Sequence, residues 1–234
     1  MVKNIAIIPA RSGSSRIKNK NIYPFMGKPL MAWTIEAAQK SGLFDRIIVS
    51  TDSEEYAKIA VEYGAEAPFL RNKYADNASS CSMVALYAAK QAENYYKEVY
   101  DKITILQATC PLRDENDIIN ADDVYKKSGT KVLITATKYT MNPWWGATVD
   151  DENKPTFVLY SPAQCSSQSK PPMYCPNGAV VIIDKEYLKK NESIYTDELR
   201  FSEMDWKNSV DIDNYDDIEM AEVLYNVIKK VNNV

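Results

Sequence analysis

The sequence predicts an α/β fold in which a mostly parallel sheet is covered by helices on both faces. Short runs rich in Ile and Val recur along the chain, each too short for a helix and each ended by turn residues. Between them lie longer segments with helical spacing and helix-capping residues at their starts. Strands that alternate with helices pair in parallel, because a parallel pair needs a crossover and a helix supplies it.

Ile5–Ile8 is the first apolar run, closed by Pro9. A polar segment, 10–23, follows. Pro29 opens a helical pattern through Ala38, with proline at the tolerated first position. Ile47–Val49 is a second buried strand. Ser53 caps a helix over 54–63, and Gly64 stops it. Residues 82–99 read as a long helix, 103–106 as a strand, 114–127 as a helix and 132–136 as a strand. From Met141 to Pro176 the texture changes to Pro, Ser, Gln and aromatics, with weak strand patterns at 147–149 and 156–160. This stretch, about 140–176, reads as an arm inserted into one domain spanning 1–234. Strands are expected again at 178–184 and at 209–212. A last helix over 215–231 directs Ile218, Ala221, Val223, Leu224 and Ile228 toward the sheet.

Composition narrows the chemistry. The chain has 234 residues, 45% of them apolar and 26% charged, enough for a sizeable core without staples. It contains no histidine, which excludes a Ser-His-Asp or Cys-His pair and a zinc-binding HExxH helix. The net charge of −4 argues against a nucleic-acid or anionic-membrane surface. No apolar run approaches a membrane span, and strand pattern begins almost at Met1, where a signal peptide would carry its apolar region. Cys81, Cys110, Cys165 and Cys175 lack CxxC spacing, so reduced thiols and a cytoplasmic location are expected.

Four segments carry candidate chemistry. The loop after the first strand holds Ala10, Arg11, Gly13, Ser14, Arg16, Lys18, Lys20 and Asn21. Small residues expose backbone N–H groups and the cations neutralise charge, which suits a polyphosphate. The alternative is a solvated basic turn, and the loop matches neither GxxxxGK[ST] nor GxGxxG. Asp211 and Asp213 flank Ile212; in extended chain they face one side and suit a hard cation such as Mg²⁺, unless one of them caps the following helix. Gln107 to Arg113 ends a strand where ligand loops sit, or is an ordinary turn fixed by Pro111. Asn177-Gly178-Ala179 admits a close approach by a ligand, or makes a simple turn. Trp144 and Trp145 fit an arm core or subunit interface.

Together these segments resemble the acylneuraminate cytidylyltransferase family, the CMP-sialic acid synthetases among them. The resemblance runs through IIPARSGSSRIKNKNI at 7–22, GKPLMAWTIEAA at 27–38, IIVSTDSEE at 47–55, GAEAPFLR at 64–71, LQATCPLR at 106–113, PNGAVVI at 176–182 and SVDID at 209–213. It implies a Rossmann-like three-layer sandwich with a dimerisation arm, a homodimer, and transfer of CMP from CTP to the 2-hydroxyl of a 2-keto-3-deoxy sugar acid. Arg11 and Lys20 fall on triphosphate-contacting positions. Asn21, Arg71 and Ser79 match positions that hold the nucleotide, and Gln107 the position between nucleotide and sugar. Asp211 and Asp213 fall on magnesium-binding aspartates.

Three departures stand out: Ser15 where many members have Lys, Cys110 for Ser, and Ser167 before Gln168 where an arginine linked to the sugar acid is usual. With that arginine gone, the acid is expected to meet Gln107, Gln168, Lys170, Lys138 or Asn177. The acceptor is then N-acetylneuraminate or a related nonulosonic acid; alternatives are legionaminic, pseudaminic or 3-deoxy-octulosonic acid, or a silent nucleotide-sugar binding protein. A nicotinamide oxidoreductase on the same fold type would need the GxGxxG turn that the first loop lacks.

Overall fold

The computed structural model describes residues 2–74, 80–141, 143–159 and 170–232. In chain order its strands are β1 (Asn4–Pro9), β2 (Pro24–Phe25), β3 (Lys28–Pro29), β4 (Arg46–Ser50), β5 (Lys102–Leu106), β6 (Val132–Lys138), β7 (Ala147–Val149), β8 (Pro155–Phe157), β9 (Tyr174–Asp184) and β10 (Leu199–Glu203). Its α-helices are α1 (Leu30–Ser41), α2 (Glu54–Glu62), α3 (Cys81–Tyr96), α4 (Glu115–Ser128), α5 (Lys185–Asn191) and α6 (Tyr215–Asn232).

Six strands form the main sheet in the order β10-β6-β9-β5-β1-β4. β1 is parallel to β4 and β5, β10 is parallel to β6, and β9 runs antiparallel to both its neighbours. β9 is therefore the one reversed strand in this sheet, and the mostly parallel sheet expected from the alternation is the one found.

Strand alternation divides the core into two layers. From β1, Ala6 and Ile8 join Met31 and Ile35 of α1, Tyr56 and Ala60 of α2 and Ile118 and Ala121 of α4. Ile5 and Ile7 face the other way, onto Ala85, Ala88, Ala89 and Ala92 of α3 and Leu188 of α5. The small side chains of α3 let that helix lie close on the sheet. α2 and α4 start where Ser53 and Asp114 accept bonds from the first-turn amides, and α4 closes a full capping box between Asp114 and Asp117. Pro29 sits at the N-cap of α1, one place before its expected position.

Two sequence expectations are corrected. Residues 209–212 form no strand: Ile212 donates to Thr109 O at 2.9 Å, and its carbonyl accepts from Lys20 Nζ at 2.7 Å, so these backbone groups bond to a turn and a side chain. The sheet edge beside β6 belongs instead to β10, whose pattern of one buried residue in five hid it from the apolar count. At the far end of the arm, expected at about 140–176, Tyr174 pairs with Lys138 as β9 begins. In α6, Val223 is 64% exposed, and Ile218, Ala221 and Leu224 pack away from the main sheet, against a third cluster with Ile17, Phe25, Leu30, Leu112, Val210 and Ile212.

Candidate active site

That third cluster builds the site. Ile17 anchors the basic loop, while Val210 and Ile212 anchor the segment that carries the two aspartates. Burial of these side chains in one cluster brings residues about two hundred positions apart into the lining of one cleft. The loop is shaped by its own bonds. Ser12 donates to Asp52 from its amide at 2.8 Å and its hydroxyl at 3.2 Å, and buried Asn21 ties back to Arg11 O at 2.9 Å. Asn19, at φ 54°, turns the chain so that Lys20 enters the cleft.

The cleft encloses about 310 Å³ and is lined by Arg11, Ser14, Lys20, Asn21, Arg71, Gln107, Asp211 and Asp213 among others. Lys20 Nζ lies 2.9 Å and Arg16 NH2 2.7 Å from the same oxygen of Asp213. Arg71 is buried; its backbone amide donates to Thr51 O at 2.7 Å, and its Nε has no hydrogen-bond partner among the described residues. Desolvation lowers its pKa, opposed by Asp52. Asp211 is raised above the usual carboxylate range, chiefly because packed protein desolvates it and also because Asp213 is near, while a bond with Thr109 pulls the other way. Neither aspartate is spent on capping: Asn214 Oδ1 accepts from Asp217 N, and Asp217 accepts from the amides of Asp213 and Asn214.

Both aspartates are oxygen donors that open on a cleft able to receive phosphate oxygens, and this donor set fits Mg²⁺. Among the described residues no group of three or more His, Cys, Asp or Glu gathers as a complete metal cage. A cation here would therefore share its coordination with substrate and water.

A second cavity of about 370 Å³ adjoins the first through Gln107 and Cys81, which line both. Its other walls include Ser80, Ser82, Asn177, Gly178, Ile194 and Tyr195. Gln107 Nε2 donates to Cys81 Sγ at 3.3 Å, and its backbone carbonyl accepts from Thr34 at 3.0 Å and from the buried Arg113 at 3.4 Å. Burial pushes the Cys81 thiol up to about 11, so it stays protonated at neutral pH.

The expected residues divide accordingly. Ala10 is buried at the end of β1, where its amide donates to Ser50 O at 3.0 Å, and Gly13 is exposed in the loop; neither lines the cleft. Lys170 lies in the arm with its amine 5.7 Å from the centre of the Trp144 ring, outside both cavities. Ser79, Ser167 and Gln168 lie outside the described residues. Tyr74, Cys81 and Val84 line the cleft without having been singled out, because only folding brings the start of α3 to the end of β5.

Comparison with known proteins decides the family. Residues 5–227 match the family model described as Cytidylyltransferase. The chain belongs to the cytidylyltransferase family. It is 34% identical to a pseudaminic acid cytidylyltransferase of Campylobacter jejuni subsp. jejuni serotype O:23/36, over 97% of each protein. It is 33% identical to the CMP-N,N'-diacetyllegionaminic acid synthase of Legionella pneumophila, over 82% of this chain and 83% of that one. It is 35% identical to an N-acylneuraminate cytidylyltransferase of Escherichia coli O18:K1:H7, over 94% of this chain and 51% of that one. Among solved structures, a CMP:2-keto-3-deoxy-manno-octonic acid synthetase complexed with CTP superposes with a TM-score of 0.69, at 17% identity, over 96% of this chain and 98% of that one. This cytidylyltransferase is thus an enzyme with a Rossmann-like α/β core. Among its described residues, no helix is long and apolar enough to cross a membrane.

Proposed function

We propose that this cytidylyltransferase transfers CMP from CTP to the 2-hydroxyl of a 2-keto-3-deoxy nonulosonic acid and releases pyrophosphate. The observation that carries the reading is the cleft itself: Arg11, Lys20 and Arg71 line it together with Asp211 and Asp213, and Gln107 is shared with a second cavity of sugar size. The triphosphate would lie along the basic residues, and the acceptor would occupy the adjoining cavity.

In the reaction the acceptor oxygen bonds to the α-phosphorus, the bond from that phosphorus to the bridging oxygen breaks, and the hydroxyl proton passes to water. Such a transfer needs alignment and charge stabilisation more than covalent help, which a chain without histidine can supply. Arg11 and Lys20 neutralise the triphosphate and the leaving pyrophosphate. Arg71 offers its unpartnered Nε to the nucleotide. Gln107, pinned at its backbone carbonyl, fixes the boundary between donor and acceptor. Asp211 and Asp213 would hold Mg²⁺, which when bound supplies Lewis-acid stabilisation of phosphate charge.

The arm supports a homodimer. β7 and β8 are exposed along their whole length, and Val149, Phe157, Val158 and Leu159 offer apolar surface that a second copy would cover. Cys81, Cys110 and Cys175 are free thiols among the described residues, in keeping with a reducing compartment.

The decisive test is pyrophosphate release with Mg²⁺ from CTP, ATP, GTP and UTP against N-acetylneuraminate, legionaminic, pseudaminic and 3-deoxy-octulosonic acids. Release from CTP alone, with a nonulosonic acid, is expected. Release only with the octulosonic acid would overturn the acceptor class. CTP binding without release from any acid would make the chain a binding protein.

A further inference from the structure

One side chain joins the wall of the second cavity to the segment that carries the aspartates. Asn177 Oδ1 accepts from Thr135 Oγ1 at 2.6 Å and from Ala179 N at 3.1 Å. Its Nδ2 donates to Ser209 Oγ at 2.9 Å and to Met204 Sδ at 3.5 Å. An amide has two acceptor sites and two donors, so this one has none left for a ligand. Ser209 passes the chain on, donating to Asp205 O at 2.7 Å, which fixes its hydroxyl as the acceptor for Asn177.

The segment over 205–213 has no strand ladder, so side-chain burial and single hydrogen bonds hold it. Val210 and Ile212 pin it by burial, and its end is held by Ile212 N on Thr109 O at 2.9 Å and by the contacts of Asp213 with Arg16, Lys20 and Asp217; before Val210 it is tied by Asn208 on Asp117 at 2.9 Å and by Ser209. Ser209 stands two residues before Asp211.

We propose that Asn177 is a positioning residue for the Asp211–Asp213 pair, acting through Ser209, and not a residue that touches the acceptor. The inference rests on the reading of those aspartates as the cation-holding pair. It makes the acceptor-cavity wall and the carboxylate segment one rigid unit, so the acceptor oxygen and the phosphate-bound cation keep a common frame.

Two variants open the link from opposite ends. Asn177→Asp keeps the oxygen that Thr135 and Ala179 use and loses the donor; Ser209→Ala loses the acceptor; Ser209→Thr keeps the hydroxyl. Mn²⁺ would be titrated into each protein with CTP and followed by electron paramagnetic resonance, beside kcat, KM for the acceptor and the thermal midpoint. Each of the first two is expected to weaken Mn²⁺ binding and to lower kcat about tenfold, the size of one net hydrogen bond. KM for the acid should stay within about twofold, since no acceptor contact is removed. The double variant should be no worse than the worse single, and Ser209→Thr should behave as wild type. A raised KM for the acid with unchanged kcat and unchanged Mn²⁺ binding would overturn the proposal, as would additive losses tracking a fall in thermal midpoint. If Asn177→Asp fails to fold, Ser209→Ala decides alone. Wild type that neither releases pyrophosphate from CTP nor binds Mn²⁺ with it would refute the underlying reading, whatever the variants do.

Discussion

On the proposed reading, Lys20 would serve two purposes at different moments. Its side chain is 13% exposed, and its amine bonds to Asp213 and to Ile212 O, joining the basic loop to the aspartate segment. A triphosphate would compete for that amine with an anion stronger than one carboxylate. Lys20→Ala and Asp211→Asn are each expected to lower kcat by roughly 10²-fold, the usual loss for a contact that stabilises charge in the transition state. Steady-state rates at saturating CTP and Mg²⁺ check this; a change confined to KM for the acid would contradict it. Arg71 differs, because on the proposed reading it would contribute in the ground state as well. Its buried Nε gains a partner only when an anion arrives, so Arg71→Met should weaken CTP binding about 10- to 100-fold, the range of a charged hydrogen bond. Calorimetric titration of CTP without acceptor measures it directly. The residue types and their order were readable beforehand. Which cation pairs with which carboxylate was not, since Arg16 and Asp213 meet across 197 positions.

Among the elements, α4 carries a titratable link to the site. Asp117 completes the capping box of α4 and also accepts from Asn208, which lies on the aspartate segment. Burial pushes its pKa up to about 6. A carboxylate raised in the folded state penalises folding at pH values above that pKa, and the penalty lifts as pH falls and the group takes up its proton. Asp117→Asn removes the titration and keeps a side-chain oxygen for the bonds. The stability of wild type relative to Asp117→Asn should therefore rise as pH falls from about 7 to 5, where Asp117 binds its proton. Paired thermal melts across that window test the sign; a constant difference would show that Asp117 does not titrate there. Helix starts were legible because Ser53 and Asp114 announce them chemically. β10 was not, because an edge strand with a single buried residue lacks the apolar run that marks the interior strands.

At the scale of the whole molecule, the arm and the core obey different logic. The interior strands β1, β5 and β9 contribute buried side chains to the core layers on both faces of the sheet. The β7–β8 hairpin buries none of its own strand residues, and a two-stranded ribbon of that size is marginal alone. Replacing residues 147–157 by a short turn is expected to convert the proposed dimer to a monomer while the core melts as before. Light scattering after size exclusion gives the mass, and a dimer that survived the replacement would place its interface elsewhere.

What this sequence determined by itself was local. Ile/Val-rich runs, capping residues and the missing histidine set the α/β class, most element positions and a chemistry of charge and alignment. The resemblance carried in its motifs then placed the basic loop and the aspartates in one site. What only the tertiary structure decided was what those residues touch. The expected strand at 209–212 dissolved because its backbone bonds were claimed by Thr109 and Lys20. Asn177 likewise has its whole amide occupied by Thr135, Ala179, Ser209 and Met204. Periodicity records which face of an element is apolar, since that repeats along the chain. Hydrogen bonds between residues far apart in sequence leave no repeat, and they exist only once packing has brought the partners together.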